Sequence, residues 1–329
     1  MSDNLLKIEN LKVIYKTDIE TVYAVNGISF ALEKGKTLGL VGETGAGKTT
    51  TALSIMRLLP ERSSKIAEGS IYFLGENVLD YSKEEMRFIR GEEIAMIFQD
   101  PMTSLNPVHT VGEQVLEALS YHNRENKTQK ELEERVDEVF RMVGIDPSRK
   151  NEYPHQFSGG MKQRVVIAIA LVCEPKLLIA DEPTTALDVT IQAQVLHMMK
   201  ELKDKLNMSM IMITHDLGIV AKTCDDVAVM YAGEIVEYGS VEDIFLGKKH
   251  HPYTEGLFGS IPKLYDNSKR LKPIDGMMPD PTLKVVGCKF ASRCPYCKEI
   301  CVKKHPQEAS INNKHRICCH MFNEDIKNG

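Results

Sequence analysis

Ser158-Gly159-Gly160-Met161-Lys162-Gln163-Arg164, followed by the apolar run Leu177-Leu178-Ile179-Ala180-Asp181-Glu182, decides how this chain is read. A Ser-Gly-Gly turn that opens a helix leaves unpaired N–H groups suited to an anion. A second such site lies upstream, where Gly42-Glu43-Thr44-Gly45-Ala46-Gly47-Lys48-Thr49 fits G-x-x-x-x-G-K-[ST] in full. It follows the apolar strand Lys36–Val41 and precedes a helical pattern stopped by Pro60. The glycines let backbone N–H groups wrap phosphates, with Thr44, Ala46 and Thr50 in the same cradle. Lys48 offers a cation to β- and γ-phosphates, and Thr49 a hydroxyl to Mg²⁺. Two anion sites in one ATP-binding chain make sense if the second completes a neighbour's site.

Asp181 ends an apolar strand, where a carboxylate reaches a Mg²⁺ shell through water. Glu182 points elsewhere because strand side chains alternate, which suits a base or orienter for an attacking water. Standing alone, an acidic pair at a strand end is equally a cap or a solvated pair. The phosphate loop tips the balance.

The 329 residues are 43% hydrophobic and 26% charged, the balance of a soluble globular chain of one large domain or two modest ones. A net charge of −5 gives no basic excess to call for nucleic acid. The apolar stretch Val165–Cys173 falls short of the roughly 18–20 residues of a membrane helix. Met1-Ser2-Asp3-Asn4 has neither the basic nor the apolar region of a signal peptide, so a cytosolic chain is expected. Cys173 and Cys224 stand apart, while Cys288, Cys294, Cys297, Cys301, Cys318 and Cys319 crowd the end of the chain. In a reducing cytosol such a cluster reads as a metal or iron–sulfur site before it reads as disulfides.

Residues 5–40 read as strands, 112–143, 161–173 and 189–206 as helices, and 177–180 and 208–214 as buried strands. The charged run Gln129–Glu138 reads as a solvated helix face. Alternating strands and helices predict an α/β fold with a mostly parallel sheet and helical layers. After Gly239 the prolines Pro252, Pro262, Pro273, Pro279 and Pro281 break the chain into short pieces. The expected division is a nucleotide-binding domain over 1–250, its helical subdomain about 100–173, and a Cys-rich extension over 251–329.

These motifs, in this order, resemble the ATP-binding cassette (ABC) ATPases from about residue 5 to 265. The resemblance implies a P-loop NTPase fold with an antiparallel β-subdomain and an α-helical subdomain. Gln99, after Ala95-Met96-Ile97-Phe98, resembles the Q-loop glutamine that touches Mg²⁺ or water. With Thr49 and Asp181 it completes the implied Mg²⁺ set. His215, after Met210–Thr214, resembles the switch histidine on the γ-phosphate, and joins Glu182 and Gln99 as the implied catalytic group. Ala186-Leu187-Asp188 resembles the D-loop that crosses the dimer interface. Ser158, Gly159, Gly160 and Asp188 would serve the partner subunit's ATP. Tyr15 is the first candidate to stack on adenine and Tyr23 its rival, each equally readable as a core-edge tyrosine. Met161 stands where the commonest signature has Gln, so that glutamine's contacts are not carried over.

Three stretches narrow the resemblance to the dipeptide/oligopeptide/nickel permease ATPases: Phe98–Pro107, Tyr153-Pro154-His155-Gln156-Phe157, and the tail with His251-Pro252-Tyr253-Thr254, Gly287-Cys288-Lys289-Phe290 and Arg293-Cys294-Pro295-Tyr296. The resemblance implies the ATP-hydrolysing subunit of a di- or oligopeptide importer on the cytoplasmic face of the membrane. Its partners would be a second ATPase subunit, identical or similar, two membrane-spanning permeases and an external binding protein. A soluble repair or ribosome-associated ATPase, and import of nickel rather than peptides, are the alternatives. The family places four cysteines at Cys288, Cys294, Cys301 and Cys319. Four thiolates suit a [4Fe–4S] cluster or tetrahedral zinc, with Cys297 and Cys318 as possible substitutes.

Overall fold

The computed structural model describes residues 4–185, 187–260 and 273–323. Along the chain the strands are β1 (Asn4–Lys16), β2 (Thr21–Glu33), β3 (Thr37–Val41), β4 (Ser64–Phe73), β5 (Glu76–Asn77), β6 (Ile94–Ile97), β7 (Leu177–Asp181), β8 (Ser209–Thr214), β9 (Asp226–Tyr231), β10 (Glu234–Ser240), β11 (Glu308–Ser310) and β12 (Arg316–Cys318). The α-helices are α1 (Lys48–Ile55), α2 (Lys83–Glu92), α3 (Pro101–Ser104), α4 (Val111–Tyr121), α5 (Gln129–Met142), α6 (Gly159–Leu171), α7 (Val189–Lys205), α8 (Leu217–Thr223), α9 (Val241–Leu246), α10 (Pro252–Gly259) and α11 (Glu299–Lys303).

These elements gather into two compact units. The first takes residues up to Leu6, Leu32–Thr37 and Phe73–Ile213; the second takes Lys7–Ala31, Leu38–Tyr72 and the chain from Thr214 on.

In the first unit β6, β7 and β8 run parallel, with Ile97 opposite Ala180 and Asp181 opposite Ile213. Every residue of β7 is buried, which is why the run is apolar throughout rather than alternating. The sequence pattern reads as helical over 112–143, and there the chain forms two helices, α4 and α5. Asn123 exchanges bonds with Lys127 through its side-chain amide, at 2.9 and 2.8 Å, and Thr128 starts α5 with a capping box closed by Glu131. Local hydrogen bonding thus interrupts an amphipathic period that by itself would continue. The charged run behaves as a solvated face, since α5 buries only Leu132, Val136, Val139 and Phe140.

In the second unit β3 pairs parallel to β9, and β9 turns tightly into antiparallel β10. The end of the chain extends this sheet. Ile317 sits opposite Glu237 and Arg316 opposite Tyr238, and β11 pairs outside β12. Tyr253 and Phe290 are buried with Val41, Val227, Val229 and Tyr231, so residues after 250 share one core with the sheet. Pro262 lies outside the described residues.

Candidate nucleotide site

The second unit builds the phosphate loop. β3 delivers the chain into Gly42, and α1 begins at Lys48 after Gly47, whose φ of 99° is left-handed. A Cβ at Gly47 would stand 2.6 Å from the Ala24 carbonyl oxygen, and one at Gly42 2.2 Å from that of Met230. Both positions require glycine, because the loop is pressed against neighbouring backbone. Lys48 is buried, and its Nζ donates to the carbonyls of Gly42 at 2.7 Å and Glu43 at 3.0 Å. Thr44, Gly45 and Thr49 are exposed, and Ala46 is buried. The loop thus offers an open backbone rim around a cation parked on carbonyl oxygens, where a stronger anion can draw it away.

The two tyrosines differ in their partners. Tyr15 pairs its hydroxyl with Thr50 Oγ1 at 3.3 Å, on the helix that the loop starts. Tyr23 donates its backbone N–H to Pro281 at 2.8 Å and lies 5.3 Å under the Lys284 ammonium. It lines a cleft of ≈ 710 Å³ together with Val25, Asn26, Gly45, Met278 and Lys289. His215 is exposed at the end of β8, beside Asp216, which caps α8.

The first unit gathers the acidic pair. Asp181 is buried at the end of β7. Glu182 takes a left-handed φ of 47°, unusual for a non-glycine residue. Its N–H donates to Ile213 O at 2.9 Å, and its Oε2 accepts from Gln99 Nε2 at 2.9 Å and from Thr185 Oγ1 at 3.0 Å. Gln99 and Glu182, far apart in sequence, are therefore direct partners.

The same unit forms the Ser-Gly-Gly turn. Ser158 caps α6, accepting from the Met161 N–H at 3.4 Å. A Cβ on Gly160 would meet Ile191 of α7 at 2.4 Å, and Asp188 caps α7 through Ile191 N–H. The turn and Asp188 are thereby brought together; Ala186 lies outside the described residues. Met161 turns its sulfur to Arg149 Nη1 at 3.3 Å, while Arg149 grips Glu152 and lies over the Phe157 ring.

The chain belongs to the ABC transporter family. The ABC transporter family model matches residues 25–185, and that of the oligopeptide/dipeptide transporter C-terminal region matches 236–301. The dipeptide transport ATP-binding protein DppD of Bacillus subtilis is 51% identical over 96% of this chain and 94% of its own length. The oligopeptide transport ATP-binding protein OppD of the same organism is 47% identical over 98% of this chain and 90% of its own. Among solved structures, cbiO1 from Clostridium perfringens, part of the ABC transporter complex cbiONQ, aligns with a TM-score of 0.65 at 32% identity, covering 75% of this chain and 92% of that one. A dimeric cassette bound to ADP and Pi after hydrolysis aligns at 0.64 and 28%, covering 72% and 98%. The fold is that of an ABC ATPase, with ATP and Mg²⁺ as the ligands the family handles.

In this ABC ATPase the end of the chain bears on the phosphate loop. Arg293 donates to both carboxylate oxygens of Glu43, at 2.8 and 3.1 Å, and Tyr253 Oη accepts from the Glu43 N–H at 2.9 Å. The sequence reading missed these contacts. Tyr253 and Arg293 stood within quoted tail motifs, but nothing local marks a contact that spans 250 positions.

All described cysteines are free thiols. Burial pushes Cys288 up to about 12, with Cys319, Cys301 and Cys294 adding to the rise. Burial pushes Cys294 up to about 11, with Cys319, Cys297 and Cys301 adding likewise. Cys297 and Cys318 couple to the same group, Cys297 with Cys294 and Cys301 and Cys318 with Cys288 and Cys319. Cys318 turns its Sγ to Pro306 O, and Cys297 is exposed. Beside them Glu237 is buried, with Oε1 accepting from His250 Nδ1 and His315 Nε2, each at 2.9 Å. His250 Nε2 also donates to Gly247 O. The hydrogen bond to Glu237 raises His250 above its usual 6.5, against the lowering effect of burial. Despite burial, these hydrogen bonds bring Glu237 down to about 2.

Proposed function

We propose that this chain is the ATP-hydrolysing subunit of a membrane importer for di- or oligopeptides. The observation that carries this reading is the oligopeptide/dipeptide C-terminal region joined to a complete phosphate loop in one chain. Relatives named as dipeptide and oligopeptide transport ATP-binding proteins match nearly end to end. Among the described residues no helix is long and apolar enough to cross a membrane. Transport then requires two membrane-spanning permeases, a second ATPase subunit and an external binding protein, with this chain on the cytoplasmic face.

The roles proposed for the site residues rest on the order of the motifs. Lys48 leaves the Gly42 and Glu43 carbonyls for the β- and γ-phosphates as the rim of Gly42, Thr44, Gly45, Ala46, Gly47 and Thr50 closes on them. Thr49, Asp181 and Gln99 are assigned to Mg²⁺, and Tyr15, next to Thr50, to the adenine. Glu182 Oε2 accepts from Gln99 and Thr185. Gln99 would help hold Mg²⁺, which would supply charge stabilisation at the phosphates, while Glu182 is assigned to orient the attacking water and His215 to the γ-phosphate. Ser158, Gly159, Gly160 and Asp188 complete the partner's site, so closure of two subunits excludes water and strengthens the electrostatics. We assign 1–250 to the nucleotide-binding domain and 251–329 to the extension.

Cys288, Cys294, Cys301 and Cys319 suit a [4Fe–4S] cluster. A single zinc at about 2.3 Å from each sulfur draws four thiolates to about 3.8 Å of one another. Among the described residues the group whose donor atoms all lie within 4.8 Å is Glu237, His250 and His315, and it contains no cysteine. The choice between the cluster and zinc rests on metal analysis. Bound there, the cluster would crosslink the tail. Iron and acid-labile sulfide, measured on anaerobically purified protein, should approach four of each per chain; one zinc and no iron would reject the assignment.

The functional test is uptake of a labelled dipeptide by cells carrying the chain with its permeases. Uptake should vanish with Glu182→Gln. Peptide uptake that persists without this chain would sink the reading.

A further inference from the structure

We infer that Arg293 is a positioning residue for the nucleotide site, tying the shape of the phosphate loop to the segment that carries Cys288 and Cys294. The guanidinium is almost fully buried, at 5% exposure, and all five of its N–H groups find acceptors. Nη1 donates to Glu43 Oε2 and Tyr231 Oη, Nη2 to Glu43 Oε1 and Ile274 O, and Nε to Asp275 O. A planar fork of this kind fixes a carboxylate in direction as well as distance.

Glu43 is the second residue of the phosphate loop, and three constraints meet there. Its side chain is held by Arg293, its N–H by Tyr253, and its carbonyl receives the Lys48 ammonium. The position of Lys48 is thus set in part from the tail. The 288–294 segment reaches the loop a second time. Lys289 donates to Ala232 O at 2.8 Å, and the next residue, Gly233, donates its N–H to Ala46 O at 3.0 Å. Phe290 fills the space behind, edge-on to Tyr231 with ring centres 5.2 Å apart. An ordinary surface ion pair would be exposed and single-pointed. This one is two-pronged, buried on the Arg293 side with Glu43 32% exposed, and attached to the loop that binds phosphate.

The sign of the effect follows from charge. Without Arg293, the Glu43 carboxylate stands unpaired beside a site for a polyanion, and the loop loses a restraint that shapes it. Both changes weaken nucleotide binding. Without Glu43 as well, the repulsion is gone.

The test is MgADP affinity of the full chain as wild type, Arg293→Met, Glu43→Gln and the double variant, with thermal melting of each. Arg293→Met should bind about tenfold more weakly, Arg293→Lys should fall between it and the wild type, and the double variant should recover to within about twofold of Glu43→Gln. Wild-type affinity in Arg293→Met, or losses that simply add in the double variant, would overturn the inference. A second arm rests on the proposed cluster: stripping the iron should weaken MgADP binding in the wild type and add nothing in Arg293→Met. Equal losses in both would show that the tail acts by another route and overturn the tie. A chain that carries no metal would count against the cluster alone, and the double-variant comparison would still decide the role of Arg293.

Discussion

The phosphate loop and the cysteine-bearing end of the chain meet in one unit but are specified in opposite ways. The loop is built from eight consecutive residues, and its shape comes from glycines pressed on neighbouring backbone, at 2.2 Å for a Cβ on Gly42. The end of the chain is built from distant pairings. β12 lies on β10, Phe290 enters the core behind Tyr231, and Arg293 grips Glu43. A local device tolerates little substitution and is readable from its own residues. A long-range device spreads its stability over many contacts and is visible only once the chain is folded.

That contrast breaks most sharply at the loop. Lys48→Ala should remove the cation that meets the phosphates and lower ATP affinity by at least about a hundredfold, measured by equilibrium binding, with melting nearly unchanged. Gly42→Ala should act on the fold as well, because its new methyl overlaps the Met230 carbonyl. A loss of about 2–4 kcal/mol in denaturant unfolding is expected. A well-folded Gly42→Ala chain that binds ATP normally would contradict the local account.

At the other end, Ile317→Ala removes a fully buried side chain from β12. It should cost about 2–4 kcal/mol and free the tail to limited proteolysis before the rest unfolds.

The smaller test is pH. The hydrogen bond to Glu237 holds His250 above its usual 6.5, with Glu255 adding to the rise and the His315 ring 6.3 Å away. Its contribution is full below 6.5 and is lost as pH climbs through the raised value. Glu237, held at about 2 against an ordinary 4.5, contributes above 4.5 and loses that contribution as pH falls toward 2. The β10–β12 edge should therefore be firmest between about pH 4.5 and 6.5. Protease resistance of the tail at pH 5.5 and pH 8.5 should fall at the higher value in the wild type, and His250→Asn should flatten the difference. A wild type equally resistant at both values would remove the charge pair from the account.

What was legible in the sequence follows the same division. The phosphate loop, the strand ending at Asp181 and the Ser158 helix start were each marked by a short run of residues, and the fold followed from their order. The break between α4 and α5 was not legible, because Asn123 and the Thr128 cap override an amphipathic period that runs through them. The strands β11 and β12 were hidden because each has three residues, and what makes them strands is the edge of β10. The pairing of Gln99 with Glu182 and of Glu43 with Arg293 could not be read either, since no local pattern records a partner.

The most direct test of the central claim, that this chain hydrolyses ATP with Glu182 orienting the water, is turnover and affinity measured together on Glu182→Gln. The account predicts ATP affinity within about twofold of the wild type and hydrolysis slower by about a thousandfold. Wild-type turnover by Glu182→Gln would contradict it.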